Sequence, residues 1–167
     1  MEKKDSLEDN VFSFNSENIE EEFKIKEKAN SGIKYFVNES LKASPGHGLG
    51  LEYAILDNEN WPYDKPDYNR TCGSLYDLIR APVNARNKPM GEWNEARILV
   101  NGNHIEHWLN GVMILSYDRG SEDFRKLVAI SKYRDITGFG MVKEGRILLQ
   151  DHGDDVSYKN IKIRKID

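Results

Sequence analysis

The sequence predicts an all-β fold, an antiparallel β-sandwich carrying one short helix. Three observations point there. Apolar and polar residues alternate with period two in short runs; Gly, Pro and Asn-Gly signals separate the runs; and the strand–helix–strand rhythm of a parallel sheet is missing.

Taken in order, Met1 to about Glu17 is polar and weakly patterned, which predicts a frayed lead-in or a truncated first strand, with a single domain over residues 18–167. Glu22–Lys26 alternates as a half-buried strand does, and Ile33–Val37 reads as a second strand. With Asn30-Ser31-Gly32 as the turn, the two are expected to form a hairpin. Ser44–Gly50 is a glycine-rich loop without the spacing or the following helix of a phosphate-binding loop. Leu51–Asp57 is a strand. The stretch Asn58–Gly73, with Trp61, Pro62, Tyr63, Pro66 and Tyr68, is a long aromatic loop of the kind usually kept for function. Ser74–Ile79 reads as a strand and Ala81–Gly91 as a loop.

The clearest pattern runs from Glu92 to Asp118, where Asn101-Gly102 and Asn110-Gly111 divide three strands of a meander. Asn-Gly suits two-residue hairpin turns because both residues tolerate positive φ. Simple turns would place Asn94, Ala96, Ile98, Val100, Ile105, His107, Leu109, Val112 and Ile114 on one core face. The opposite face would carry Trp93, Glu95, Arg97, Leu99, His104, Glu106, Trp108, Met113, Leu115 and Tyr117. Its mixture of rings and charges suits either a sugar-binding surface or an amphipathic outer sheet. His107 is expected to be a satisfied core histidine rather than a ligand. Ser121 caps the one helical spacing, formed by Phe124, Leu127, Val128 and Ile130 up to Ser131. Arg146–Gln150 and Val156–Ile163 close the chain as strands.

The chain has 167 residues, enough for one well-formed core. Lys and Arg total 24 against 28 Asp and Glu, a net charge of −4 that gives no electrostatic footprint for nucleic acid or an anionic membrane. No apolar run approaches the roughly 20 residues of a membrane helix. The N-terminal segment is charged and shows no apolar signal-peptide core. Cys72 is the single cysteine, so an internal disulfide is excluded, and it reads as structural.

Six stretches in order resemble a known family: Asn30–Tyr35, Gly50–Asn58, Gly73–Leu78, Gly91–Asn94, His107–Gly111 and Leu149–Gly153. Over about Phe23 to Ile163 the chain resembles the 3-keto-disaccharide hydrolase domain family, whose fold is the concanavalin A-like jelly roll. The resemblance implies a hydrolase or lyase that cleaves 3-keto-glycosides. It further implies a functional link to a separate sugar 3-oxidoreductase, and a periplasmic or secreted location. In such chemistry the ketone acidifies the proton on carbon 2; its removal gives an enolate, which expels the glycosidic oxygen from carbon 1, and water then adds to the enone. The reaction needs a base, a donor or cation at the ketone oxygen, and an acid for the leaving group.

Glu52 and His152 are the candidate acid/base pair. Glu52 interrupts an apolar strand, where desolvation would raise its pKa, or else it is a rim glutamate in a salt bridge. His152 follows a strand end, with Asp151 or Asp154 placed to hold its imidazole, or else it is an ordinary loop histidine. Lys34, Tyr76, Arg97 and Gln150 are candidates for bonding hydroxyls or the ketone, and Trp93 and Trp108 for stacking on a sugar ring. Asn30 and Ser31 read as turn stabilisers. No cofactor is expected. The histidines His47, His104, His107 and His152 lack tight ligand spacing, although Asp57, Asp151, Asp154 and Asp155 leave calcium open. The competing function is a non-catalytic carbohydrate-binding module of the same fold. A two-carboxylate glycosidase is disfavoured, because Glu52 and Asp57 fall on opposite faces of one strand.

Overall fold

The computed structural model describes residues 12–13, 16–41, 48–60 and 69–166. Nine strands are present among them: β1 (Phe12–Ser13), β2 (Ser16–Ile25), β3 (Asn30–Asn38), β4 (Leu49–Leu56), β5 (Asn94–Asn101), β6 (His104–Leu109), β7 (Val112–Asp118), β8 (Glu144–Gln150) and β9 (Val156–Lys165), with helix α1 (Glu122–Ile130) between β7 and β8. They form two antiparallel sheets, one of four strands ordered β1-β8-β3-β4 and one of five ordered β7-β6-β5-β2-β9. Strand pairing thus enters the stretch read as a lead-in, since Phe12 and Ser13 pair with Gly145 and Glu144.

Period-two alternation sends every second side chain inward. Ile19, Phe23, Ile98 and Ile105 from the larger sheet meet Ile33, Tyr35, Leu51, Tyr53 and Ile55 from the smaller in one buried cluster. Each large side chain sealed in this way contributes on the order of 2 kcal/mol. On the exposed edge strand β9, Lys159, Lys162 and Lys165 discourage further strand addition.

Two expectations about which segments pair as strands need correction. The strands around Asn30-Ser31-Gly32 are not a hairpin. The turn lies earlier, at Lys26–Ala29, closed by Ala29 N–H donating to Lys26 O at 3.1 Å, with Lys28 at φ 62°. Asp57 fixes it by accepting the Lys28 N–H at 2.8 Å. The chain then changes sheets: β2 pairs with β5 and β9, whereas β3 pairs with β4 and β8. Alternation marks a strand but not its partner. Ser74–Ile79 is likewise not a strand. It is a tight turn touching β4 through a single bridge, Tyr53 to Leu75, and folding back through Leu75 to Ile79.

The meander forms with two-residue turns. Asn110 (φ 49°) and Gly111 (φ 79°) make one; the other uses Gly102 (φ 60°) and Asn103, so Asn101 ends its strand. The face assignment holds through Leu109 and again at Ile114, which is buried, but fails at Val112, Leu115 and Tyr117. A bulge between His107 and Trp108 pairs His107 with Leu115 and Ile105 with Tyr117, which turns Leu115 and Tyr117 inward. Val112, expected in the core, is exposed at the hairpin end.

Helix α1 begins where expected. The Ser121 Oγ accepts the Phe124 N–H at 3.1 Å and Phe124 is buried, but Ile130 lies off the apolar stripe and is exposed. His107 is the core histidine that was expected. Its Nδ1 lies 2.9 Å from the Gly73 carbonyl, which only accepts, so Nδ1 carries the proton and Nε2 accepts from the Tyr35 hydroxyl at 2.7 Å. Tyr117 then donates to Tyr35 at 2.7 Å. Burial pulls the His107 pKa down to about 4 and keeps the ring neutral.

Candidate active site

Because Leu51, Tyr53 and Ile55 fill the core, the intervening Glu52 projects from the opposite face of the smaller sheet. Its neighbours there follow from register. Lys34 on β3 pairs directly with Glu52, while Gly32, the next outward residue of β3, lies opposite Gln150 on β8. Side chains at Gly32 and Glu52 compete for one space: a Cβ at Gly32 would lie 2.8 Å from the Glu52 Oε1 and 2.9 Å from its Cγ. Asn30-Ser31-Gly32 therefore serves the site instead of a turn. Its glycine leaves room for a carboxylate, and its serine ties β3 to β8 by donating to Gln150 O at 2.5 Å.

These residues floor an open cleft of about 370 Å³, walled by Tyr76, Lys132 and Tyr133 and bordered by His152. Glu52 is only 5% exposed, so it is not a rim glutamate. Burial raises its pKa above the ordinary 4.5, against the opposing pull of Lys34, Lys132 and Arg70. The Lys34 Nζ is 4.0 Å from Glu52 Oε2 and reaches the Gly48 carbonyl at 3.5 Å. A carboxylate so placed is a stronger base than a solvated one.

The Gln150 amide donates to the His152 Nε2 at 2.7 Å, which orients the imidazole at the rim. The Gln150 Oε1 is buried with no hydrogen-bond partner among the described residues. Asp151 does not hold the imidazole as expected, because its Oδ1 accepts the Gly153 N–H at 2.7 Å and shapes the turn.

The walls contain residues that the sequence reading missed. Asp77 Oδ1 accepts from Arg70 Nε at 2.9 Å and Nη2 at 2.7 Å, while Asp77 Oδ2 accepts the Lys132 N–H at 2.8 Å. The Lys132 ammonium lies 4.3 Å from the Tyr76 ring centroid and 4.9 Å from that of Tyr133. Tyr133 in turn stacks on Phe139 at 3.8 Å. Lys132 directly follows the helix cap Ser131, and nothing in its local sequence sets it apart from Lys126.

Trp93, Arg97 and Trp108, expected to contact the sugar, lie away from this cleft. They belong to the meander of the other sheet, and Arg97 and Trp108 face outward on its far side. There they line a separate cleft of about 370 Å³ with Glu20, Glu22, Glu95 and Lys162. Arg97 sits 5.2 Å over the Trp108 ring and donates to Asn18 Oδ1 at 2.6 Å. The ammonium groups of Lys24 and Lys159 approach the Trp93 ring to 4.8 and 4.0 Å. One sugar held at Glu52 cannot reach any of the three, since the whole core intervenes. Trp61, Tyr63, Tyr68 and His47 fall outside the described residues.

For a metal, no group of three or more His, Cys, Asp or Glu side chains converges among the described residues. Asp57 is occupied by its turn: it accepts from Lys28, Glu59 and Asn60. Asp155 pairs with Lys26 at 2.6 Å. Cys72 is a buried thiol, its pKa pushed up to about 11 by desolvation.

Known proteins are similar to this chain in both sequence and architecture. A 3-keto-disaccharide hydrolase of Bacteroides thetaiotaomicron is 35% identical over 175 residues, which cover 92% of this chain and 60% of that relative. The chain thus spans well under two thirds of the curated relative's length. A crystal structure of a candidate glycosyl hydrolase from Parabacteroides distasonis superposes with a TM-score of 0.80 at 29% identity, covering 94% of this chain and 74% of that one. A second candidate glycosyl hydrolase from the same organism gives 0.71 at 27% identity, covering 94% and 80%. The 3-keto-alpha-glucoside-1,2-lyase-like domain matches residues 11–164, nearly the whole chain, and the protein belongs to that family.

Proposed function

We propose that this protein cleaves 3-keto-glycosides by elimination and hydration, with Glu52 as the base. The observation that carries the reading is a desolvated carboxylate on the floor of an open cleft, faced by ammonium groups and by an unpartnered amide oxygen. The name of the Bacteroides relative supports the substrate class.

In this mechanism Glu52 takes the proton from carbon 2, and the electron pair moves through carbon 3 onto the ketone oxygen. The pair returns to re-form the ketone as the carbon 1–oxygen bond breaks. The leaving oxygen takes a proton from the newly protonated Glu52, with the His152 imidazole at the rim beside it. Water then adds across carbons 1 and 2, for a net hydrolysis. Gln150 and Lys34 hold hydroxyls, and Tyr76 walls the cleft beside them. The step consumes no oxidant or reductant, so a sugar 3-oxidoreductase must supply its substrate.

Incubation with chemically prepared 3-keto-trehalose or 3-keto-lactose, followed by release of the free sugar, tests the reading. Turnover is expected on the keto sugar and not on the unoxidised one, and Glu52→Gln should lower kcat by about 10²–10⁴-fold. Binding without turnover, or Glu52→Gln at the wild-type rate, would refute it in favour of a binding module.

A further inference from the structure

Charge in the Glu52 cleft is unevenly matched. Glu52, the carboxylate that lines the cleft, faces Lys34 at 4.0 Å, and the neighbouring Asp77 behind the wall is taken by Arg70 at 2.7 Å. Lys132 is the third cation. Among the described residues it has no carboxylate within ion-pair distance, and its ammonium rests instead against the rings of Tyr76 and Tyr133. Its backbone is anchored from both sides, by Asp77 Oδ2 on its own N–H and by the Ser131 Oγ, which accepts the Tyr133 N–H at 3.0 Å. A cation held on ring faces at the cleft wall, with no carboxylate at ion-pair distance among the described residues, is a positive charge available to whatever enters.

We propose that Lys132 is a catalytic residue that stabilises the enolate oxygen of a 3-keto sugar. This rests on the elimination reading above and assigns the one role left open there. When Glu52 removes the carbon 2 proton, the carbon 2–hydrogen pair becomes the carbon 2–carbon 3 double bond, and the carbonyl pair settles on oxygen. The Lys132 ammonium hydrogen-bonds that oxygen without giving up its proton, and releases it when the ketone re-forms and the glycosidic oxygen leaves. Lys34 is less suited to this task because Glu52 and the Gly48 carbonyl already engage its ammonium. The cation is positioned before reaction, where its effect on a developing charge is greatest.

The test uses Lys132→Met, which keeps an unbranched stem between the rings, together with Lys132→Gln and Lys132→Arg. Turnover of 3-keto-trehalose and exchange of its carbon 2 proton in D₂O are followed by NMR, and Tm is measured alongside. Both neutral variants should lose about 10²–10³-fold in kcat and a similar factor in exchange, with KM changed by no more than about threefold. Lys132→Arg should recover most of the loss. The proposal is overturned if Lys132→Met exchanges and turns over within about threefold of wild type, if the change lies in KM alone, or if Lys132→Arg is as poor as the neutral variants. Should the neutral variants fail to fold, the arginine variant still decides. Wild-type protein that cleaves the substrate in D₂O and releases product with no deuterium at carbon 2 would instead remove the elimination reading itself.

Discussion

Glu21 should make the protein less stable as pH rises, and Glu21→Gln should abolish that loss. The residue sits on β2 between Ile19 and Phe23, on the inward face, and is 3% exposed. Neither carboxylate oxygen has a hydrogen-bond partner among the described residues. Burial lifts its pKa from 4.5 to about 8. Between those values the folded protein keeps a proton that the unfolded chain has released. The stabilisation is therefore complete below pH 4.5 and is lost as pH climbs through about 8. At roughly 1.4 kcal/mol per pKa unit, the full loss is on the order of 5 kcal/mol. Glutamine has similar volume and never ionises, so the variant should differ little from wild type at pH 5 and exceed it by a few kcal/mol at pH 9. Urea denaturation at both pH values measures the difference directly, and subtraction cancels every other titrating group. In a domain of this size the gap at pH 9 corresponds to roughly 10 °C in Tm. An equal difference at pH 5 and pH 9 would show that Glu21 is not the buried acid described here.

Further outcomes follow from the site and the core. Gly32→Ala should cut kcat on a 3-keto-disaccharide at least about tenfold through displacement of Glu52, with little change in circular dichroism; unchanged kcat would mean the carboxylate has no fixed position. The acid limb of the kcat/KM profile should reflect Glu52, with an apparent pKa above 4.5. Because Lys34 favours the ionised form, Lys34→Met should move that limb to higher pH, and a shift to lower pH would contradict the assignment. His107→Leu should cost about 2–4 kcal/mol in urea denaturation, since the Gly73 carbonyl and the Tyr35 hydroxyl would lose their partner, and a cost below about 1 kcal/mol would show that the network is dispensable.

The parts of the structure that were legible in the sequence are those governed by neighbours along the chain. The meander was readable because Asn110-Gly111 closes its own turn, and the helix start because Ser121 caps its own first turn. Glu52 stood out because a charge in an apolar run has few structural explanations, and the structure buries it on the cleft floor. Pairing between distant segments left no such mark. Asn30-Ser31-Gly32 has turn composition, yet its glycine is needed for the space that Glu52 takes from another strand. The bulge at His107/Trp108 was invisible for a related reason, as one extra residue inverts a face without altering the alternation before it. Lys132 and Asp77 meet only after the helix and two sheet changes have been folded, so composition near either residue says nothing of the other. Trp93, Arg97 and Trp108 show the reverse error: aromatic and charged residues on an outward face resembled a binding platform, and they sit across the core from the cleft that holds Glu52.

Glu52, Lys34 and Gln150 arise from three adjoining strands of one hydrogen-bonded sheet, whereas Tyr76, Lys132 and Tyr133 arrive from connecting segments. The two groups are thus under different mechanical constraints. Insertions or exchanges in the connections can reshape the room beside Glu52 without disturbing its carboxylate, whose seat is set by backbone ladders. On the proposed function, diversification of linkage preference within this architecture should then be written in the connections, while the strands stay the same.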